Sequence, residues 1–164
     1  MSVLFLILFG LLFLYTAVLL WLATGFILTR FFIPQDEKNT TPVTIIICAR
    51  NEQGNITACL TSILKQDYDP QKIELIFIND ASSDLTVQLA ETILKKSPFS
   101  YRVISNKQQK GKKQSISYAM SLANHELIVL RDADTFTTSY QWLQSISDFY
   151  QTGQPDLIIA PVAI

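Results

Sequence analysis

The chain alternates between apolar stretches and short polar ones, and its longest apolar stretch comes first. From Ser2 to Thr29 there are 28 consecutive residues without Asp, Glu, Lys, Arg or His. About 20 apolar residues cross the hydrocarbon core of a bilayer as a helix, so this stretch is long enough to span it with some tilt. A cleaved signal peptide would have a basic start, an apolar core of roughly 7–15 residues and a small-residue cleavage site. The pattern predicts instead a transmembrane anchor with its flank, residues 1–33.

The charges that flank this anchor predict its orientation. Arg30 follows the apolar stretch at once and Lys38 comes soon after, whereas no basic side chain precedes the stretch. Because positively charged flanks stay on the cytoplasmic side, we expect a single-pass protein of the cell membrane, in contact with membrane lipids. Residues 34–42 are polar and turn-rich, which is typical of a linker. The remaining residues, 43–164, would form a cytoplasmic globular domain.

Within this domain, strand-like and helix-like patterns alternate. Short apolar runs rich in β-branched residues predict strands over residues 43–48, 73–78, 101–104, 126–130 and 156–162. Polar starts followed by a helical apolar period predict helices over residues 55–65, 84–97, 112–123 and 139–150, with Asn55 and Asp84 as caps of the first two. This order predicts an α/β fold: a mostly parallel sheet with helices on both faces.

Composition excludes some classes of protein. Lys and Arg number 13 and Asp and Glu 14, for a net charge of −1. A nucleic-acid-binding protein usually has a basic excess, so we expect no nucleic-acid partner. The cysteines, Cys48 and Cys59, have no CxxC spacing and fit a reducing compartment. No Gly-x-Gly-x-x-Gly follows the first predicted strand, which argues against a nicotinamide cofactor.

Polar side chains follow three of the predicted strands. Residues 49–52 come after the first strand, 79–84 after the second and 131–134 after the fourth. Right-handed crossovers bring the carboxyl ends of parallel strands to one edge of the sheet, and ligands bind there. The sequence therefore predicts one ligand site built from all three segments.

Asp132 and Asp134 are the candidates for a metal site. Residues i and i+2 of an extended chain point the same way, so both carboxylates can face one point beyond the strand. A divalent cation relieves the repulsion between them, and Mg²⁺ prefers one or two protein carboxylates with substrate phosphates completing its shell. This predicts Mg²⁺ or Mn²⁺ neutralising a diphosphate leaving group, as transfer from a nucleotide-sugar requires. A solvated Asp-x-Asp turn is the simpler alternative.

Three further residues are candidates for the nucleotide. Asp80 can hydrogen-bond a base or a ribose, or can serve as a turn residue ahead of the helix that Asp84 caps. Glu52 can contact the nucleotide or help to shape its own turn. Lys112 lies near a predicted helix start, where lysine and the helix N-terminus both favour phosphate, although a solvated basic patch is an alternative.

Four segments, taken together, resemble a known family. They are VTIIICARNE (43–52), IFINDASSD (76–84), GKKQSISYAM (111–120) and LRDADT (130–135). In this order and spacing they resemble family 2 glycosyltransferases, which have the Rossmann-like GT-A fold. The resemblance implies transfer of a sugar, with inversion, from a nucleotide-diphosphate-sugar donor to a glycan or lipid-linked acceptor, in polysaccharide or glycolipid biosynthesis.

The resemblance also implies a role for each candidate residue. Ala49 and Glu52 would border the nucleotide, Asp80 would contact the base, Lys112 would lie near the diphosphate, Asp132 would contact the ribose or the metal, and Asp134 would be the principal metal ligand. Asn79 stands where the family often has a second Asp, Arg131 where it often has a small residue, and Lys113 and Gln114 where it often has Ala or Gly. These differences affect the expected base preference.

The catalytic base is not among these candidates. The family continues into an acceptor-binding half that holds this base, an Asp or Glu, and no residue here matches it. Because inversion needs a base to deprotonate the acceptor hydroxyl, we expect a truncated or fragmentary form that binds donor and metal.

Two other functions are also compatible with the sequence. One is a non-catalytic, membrane-attached binding or assembly module. The other is a haloacid-dehalogenase-like phosphotransferase, whose motif has Thr or Val two positions after the second Asp, where this chain has Phe136. The nucleophile of that class also follows the first strand of its domain, whereas Asp132 follows the fourth predicted strand.

Overall fold

The computed structural model describes residues 2–29 and 40–158. The chain divides into two compact units, Met1–Pro34 and Gln35–Ile164. In the first unit, the described residues form the helix α1 (Ser2–Thr29), which has no polar face. Its segment Phe5–Gly25 is long and apolar enough to cross a membrane, by length and composition alone. The exposed apolar side chains along this segment match a helix that needs an apolar environment on every side.

Residues 40–158 of the second unit contain a four-stranded parallel sheet. Its strands are β1 (Val43–Ala49), β2 (Ile73–Asn79), β3 (Ser100–Ser105) and β4 (Leu127–Asp132), in the order β3-β2-β1-β4. Its helices are α2 (Ile56–Leu64), α3 (Thr86–Leu94), α4 (Lys112–Leu122) and α5 (Trp142–Gly153), and a 3₁₀ turn covers Pro70–Lys72. Every pairing between the described strands is parallel, as the alternation of elements predicts.

Helices cover both faces of this sheet, which confirms the predicted α/β architecture. On one face, Ile45 and Phe77 pack in a large core cluster with Leu60 of α2, Leu94 of α3 and Leu143 of α5. On the other face, β1 and β2 contribute three isoleucines to a smaller cluster that α4 closes with Ala119. Because β1 and β2 are buried on both sides, their sequences are nearly continuous apolar runs.

Several element boundaries differ from the predicted ones. Asn55 precedes α2 but makes no capping bond with its side chain. Instead, its Nδ2 donates to Glu52 Oε2 at 2.8 Å. Helix α3 begins at Thr86 rather than at Asp84, although the Asp84 carboxylate still accepts a hydrogen bond from Thr86 N at 3.0 Å. Of the predicted fifth strand, residues 156–158 are irregular and the remainder lies outside the described residues.

Helix α5 also begins later than predicted, at Trp142 rather than at residue 139. The polar residues ahead of it bond to α2 and its C-terminal flank instead of starting a helix. Gln66 Nε2 donates to the carbonyl of Ser139 at 2.9 Å, and Gln66 Oε1 accepts from Leu143 N at 3.0 Å. These bonds hold the segment before α5 as a loop.

A buried carboxylate joins the elements at the amino edge of the sheet. Glu74, near the start of β2, is only 3% exposed. It accepts hydrogen bonds from Thr44 Oγ1 at 2.8 Å and from Asn124 N at 2.9 Å, and it forms an ion pair with Arg102. Burial raises the pKa of Glu74, but these hydrogen bonds and the Arg102 charge outweigh it and leave the pKa below its ordinary value.

Glu74→Gln is expected to destabilise this domain. The amide keeps the shape but loses the charge and mismatches two donors, which costs about 2–3 kcal/mol of unfolding free energy. Thermal unfolding in detergent at pH 7 measures the loss as a lower Tm, and Glu91→Gln on the exposed side of α3 should leave the Tm unchanged.

The effect of Glu74 on stability should depend on pH. Because the folded-state pKa of Glu74 is lowered, its contribution to the free energy of unfolding is complete above the ordinary pKa of 4.5 and disappears as the pH falls through the folded-state value. A difference in Tm that persists unchanged under strong acid would contradict this account.

Candidate functional site

An open pocket of about 280 Å³ lies at the carboxyl edge of the sheet. It is lined by Cys48, Arg50, Glu52, Asp80, Gln109, Gly111, Lys112, Asp132, Ala133 and Asp134. The strand register accounts for this gathering, because Ala49 pairs with Asn79 of β2 and Cys48 with Asp132 of β4. Three strand ends therefore lie level with one another, and the start of α4 lies beside them.

The pocket contains five of the six residues that the sequence nominates. They are Glu52, Asp80, Lys112, Asp132 and Asp134. The sixth, Ala49, does not line the pocket: its side chain is buried in the core, and its carbonyl oxygen accepts a hydrogen bond from Asp80 N at 2.9 Å. Ala49 thus contributes to the site by holding the backbone of Asp80.

The acidic pair presents its charges to solvent. Asp132 ends β4 and Asp134 follows it, both exposed, whereas Ala133 between them is buried. Lys112 Nζ pairs with Asp132 Oδ1 at 2.6 Å, with the two side chains 60% and 55% exposed. This hydrogen bond raises the pKa of Lys112 against the opposing effect of burial, so the ammonium stays charged.

This donor set fits one type of metal binding. Among the described residues, no three His, Cys, Asp or Glu side chains are grouped closely enough to hold an ion by themselves. Two carboxylates at an open pocket do suit Mg²⁺ or Mn²⁺, which bind through one or two carboxylates while water and substrate phosphates supply the other ligands. The residues present therefore fit a metal that binds together with a diphosphate.

Asp80 is the most heavily hydrogen-bonded carboxylate of the pocket, and it is 3% exposed. Its Oδ1 accepts from Asn106 Nδ2 at 2.9 Å, Lys110 N at 2.8 Å and Ser115 Oγ at 3.3 Å. Its Oδ2 accepts from Gly111 N at 2.9 Å. Burial raises the pKa of Asp80, but these bonds outweigh it, so the pKa lies below its usual range. The carboxylate holds the loop before α4 in place.

Gly111 connects that loop to α4 and has a φ of 89°, a conformation that residues with a Cβ rarely adopt. In this conformation its N–H reaches Asp80, and the next residue is Lys112, the first of α4. The position of the Lys112 ammonium therefore depends on Asp80 through the backbone.

Glu52 both shapes its turn and lines the pocket. Its backbone N donates to Thr86 Oγ1 at 2.8 Å. Its neighbour Asn51 has a φ of 56°, and Asn51 Oδ1 accepts from Ser83 N at 2.9 Å. The turn after β1 is therefore fastened to the turn after β2. Both alternatives that the sequence leaves open for Glu52 are compatible with this geometry.

Three pocket residues are not among the candidates that the sequence gives individually: Cys48, Gln109 and Arg50, although Arg50 belongs to the segment 49–52 that is predicted to lie at the ligand edge. Burial raises the pKa of Cys48, so its thiol is protonated at neutral pH and is a poor nucleophile. The sequence feature that could have identified Arg50 is its position: it is a cationic residue directly after a strand that ends at the ligand edge. Gln109 lies in the loop that Asp80 holds, and no periodic pattern indicates its place.

Sequence comparison identifies related proteins. Residues 44–163 match the family described as "Glycosyl transferase family 2". An uncharacterised glycosyltransferase of Haemophilus influenzae is 30% identical over 114 residues, which cover 70% of this chain and 34% of that protein. The poly-beta-1,6-N-acetyl-D-glucosamine synthase of Staphylococcus epidermidis is 26% identical over 117 residues, which cover 71% of this chain and 27% of that protein.

Solved structures share the fold. A mannosyltransferase of Pyrobaculum calidifontis, in complex with GDP-Man and Mn²⁺, has a TM-score of 0.63 at 22% identity over 71% of this chain and 36% of its own. Residues 1–349 of Staphylococcus aureus TarS, in complex with UDP-GlcNAc, have a TM-score of 0.61 at 22% identity over 70% of this chain and 32% of their own. The predicted GT-A fold is confirmed.

The chain spans roughly a third of the length of these relatives, between 27% and 36%. The matched residues, 44–163, include all the strands and helices described for the second unit, apart from the first residue of β1. The resemblance that the four sequence segments carry is thereby confirmed, and the chain belongs to glycosyl transferase family 2.

Proposed function

We propose that this chain carries the donor-binding part of a metal-dependent glycosyltransferase. The reaction is transfer of a sugar, with inversion, from a nucleoside-diphosphate-sugar to a glycan or lipid-linked acceptor. One observation carries the proposal: two exposed carboxylates and an ammonium converge on a single pocket at the carboxyl edge of the sheet. Family membership supports this reaction rather than phosphotransfer.

Asp134 and Asp132 are the residues that would hold the metal. A bound Mg²⁺ or Mn²⁺ supplies positive charge that neutralises the diphosphate leaving group. The Mn²⁺ named with the mannosyltransferase of the same fold supports this assignment. Asp134 is assigned as the principal ligand because Lys112 pairs with Asp132 and not with Asp134.

Lys112 and the N-terminus of α4 are assigned to the diphosphate. The ammonium is charged and exposed, and unpaired N–H groups at a helix N-terminus favour an anion. When a diphosphate enters, Lys112 has two acidic partners in reach, the phosphate and Asp132. The lysine thereby orients the leaving group next to the proposed metal ligands.

Glu52, Asp80 and Ala49 are assigned to the nucleoside side of the pocket, at the ends of β1 and β2. The Asp80 carboxylate already accepts hydrogen bonds from four donors, which fix its position. We therefore assign it two roles: a rigid part of the pocket surface and a hydrogen-bond acceptor for the nucleoside. An inverting transfer also needs a general base for the acceptor hydroxyl, and we assign this role to no residue of the described part.

We further propose that α1 anchors the protein in the cell membrane with the domain in the cytoplasm. The helix has the length and composition of a span, and the sequence places Arg30 directly after it. Contact with membrane lipids and with a lipid-linked acceptor is consistent with this placement.

Asp134→Asn should strongly weaken the metal-dependent binding of UDP and GDP. Removing partners that merely support a metal ligand typically costs 10–100-fold in affinity, so loss of the ligand itself should cost about 100-fold or more. Calorimetric titration with and without Mn²⁺ measures this. Glu126→Gln, beside the opposite end of β4, is the matched control and should bind like the wild type. If the Asp134→Asn variant bound UDP or GDP with wild-type affinity in the presence of Mn²⁺, the metal site would be refuted. If the wild type bound them as expected but transferred sugar to no acceptor, a non-catalytic binding module would be favoured.

Lys112→Met should weaken the binding of nucleoside diphosphates and leave the binding of nucleosides unchanged. Loss of a charge-assisted hydrogen bond to phosphate costs about 1.5–3 kcal/mol, or about 10–100-fold in Kd. Titration with UDP and with uridine separates the two effects. Lys113→Met, next in sequence and also exposed, is expected to change neither affinity. An equal loss for uridine and UDP would show that Lys112 does not act on the diphosphate.

The Leu14→Arg/Leu19→Arg double variant should release the protein from membranes. Each arginine at the centre of a span costs about 2.5–3.5 kcal/mol on insertion scales. Extraction of membranes with alkaline carbonate should leave the wild type and the Leu14→Ala/Leu19→Ala control in the pellet and bring the arginine variant into the supernatant. A wild-type chain found in the supernatant would rule out the anchor.

A further inference from the structure

A buried cation lies directly behind the acidic pair. Arg131, in β4 immediately before Asp132, is 8% exposed. No carboxylate of the described residues forms an ion pair with it, and one of its nitrogens, Nη1, has no hydrogen-bond partner. Burial lowers the pKa of Arg131, with the neighbouring Cys59 acting in the opposite direction. Burying a guanidinium without a carboxylate is costly, so its presence at this place calls for a physical reason.

The contacts of Arg131 supply that reason. Its Nη2 donates to Ser62 Oγ of α2 at 2.9 Å and to the carbonyl oxygen of Thr135 at 3.3 Å. Its guanidinium also lies 4.7 Å from the centre of the Trp142 ring of α5, a cation–π contact. The side chain thus links two helices to the segment that follows Asp134.

That segment has further attachments to α2. The carbonyl oxygen of Asp132 accepts from Thr135 Oγ1 at 2.8 Å and from Cys59 Sγ at 3.6 Å. Ser62 Oγ accepts from Thr137 N at 3.3 Å in addition to its bond from Arg131. The turn from Asp132 to Thr135 is therefore tied to α2 by Cys59, Ser62 and Arg131.

The alternation of side chains shows which way this support acts. Arg131 and Ala133 are buried, whereas Asp132 and Asp134 are exposed. Arg131 and Asp132 end β4, where successive side chains point to opposite faces, and in the turn that follows Ala133 is buried and Asp134 is exposed. The network therefore lies on the buried side of the turn, and both carboxylates are exposed on the pocket side, where Asp132 pairs with Lys112.

We propose that Arg131 is a positioning residue that holds the Asp132–Thr135 turn from beneath and so sets the direction of the Asp134 carboxylate. This rests on the proposed function, in which Asp134 binds the metal. Arginine suits the task because its long, planar, many-donor head reaches both Ser62 and Thr135, which the single ammonium of lysine does not reproduce. A metal ligand whose direction is set before binding loses less conformational freedom when the ion arrives.

The charge of Arg131 and its supporting contacts predict opposite changes in Mn²⁺ affinity when the side chain is removed. A guanidinium close to a cation site repels the cation, so removing only its charge would tighten Mn²⁺ binding. Loss of the support would weaken it, by about 10–100-fold, as for other groups that orient metal ligands. The sign of the change therefore distinguishes a positioning role from a purely electrostatic one.

The test uses Ser62→Ala, Arg131→Met and Arg131→Lys in the full chain. Electron paramagnetic resonance of free Mn²⁺ in the presence of UDP or GDP gives the Kd of the ion, and thermal unfolding gives the Tm. We expect Ser62→Ala and Arg131→Met each to raise the Kd of Mn²⁺ about tenfold or more. Arg131→Lys should raise the Kd as much as Arg131→Met does. In the Ser62→Ala/Arg131→Met double variant, the loss of binding free energy should be smaller than the sum of the two single losses. Ser121→Ala, which removes an exposed hydroxyl of α4, is the control and should match the wild type.

Three outcomes would overturn the proposal. A lower Tm with the wild-type Kd in Ser62→Ala would mean that the network stabilises the fold alone. Tighter Mn²⁺ binding by Arg131→Met would mean that the charge of Arg131 affects Mn²⁺ affinity and that its contacts with the turn do not. Wild-type protein that binds no Mn²⁺ with either nucleotide would refute the proposed metal site itself, and the inference with it.

Discussion

The parallel pairing of β1 with both of its neighbours is the constraint on which the rest of the domain depends. β1 lies between β2 and β4, and its register sets Ala49 beside Asn79 and Cys48 beside Asp132. A shift of one residue would turn every side chain of a doubly buried strand to the wrong face, so the register is strongly specified. The three strand ends are therefore level, and the pocket is the space that their polar extensions enclose.

Two buried carboxylates near the ends of β2 show how one strand serves both stability and function. Glu74, at the amino edge, joins β1, β3 and the loop before β4. Asp80, at the carboxyl edge, uses the same chemistry to hold the loop that leads into α4 and Lys112. Both have a lowered pKa because hydrogen bonds outweigh burial. At the end of β4, on the far side of β1 from β2, Arg131 has the supporting role that we propose for the acidic turn.

The elements and the pocket were predictable from the sequence where each depends on a local pattern. Apolar β-branched runs mark β1 and β2, and the polar residues after them must meet because parallel strands end at one edge. The partners of Asp80 were not predictable, since they come from a loop without periodicity that only tertiary contacts place. Nor was the inward direction of Ala49, which follows from packing in the core. The start of α5 depends on bonds to Gln66, 77 residues away from Leu143 in sequence, which no local pattern records.

The proposed function depends on Asp134 and Asp132 binding a divalent metal together with a nucleoside diphosphate. Anomalous X-ray diffraction from crystals grown with Mn²⁺ and UDP or GDP locates the ion directly. We expect one Mn²⁺ peak within coordination distance of an Asp134 carboxylate oxygen, with phosphate oxygens on its other side and Lys112 beside them. A bound nucleotide whose Mn²⁺ lies away from both aspartates, or a nucleotide outside this pocket, would contradict it.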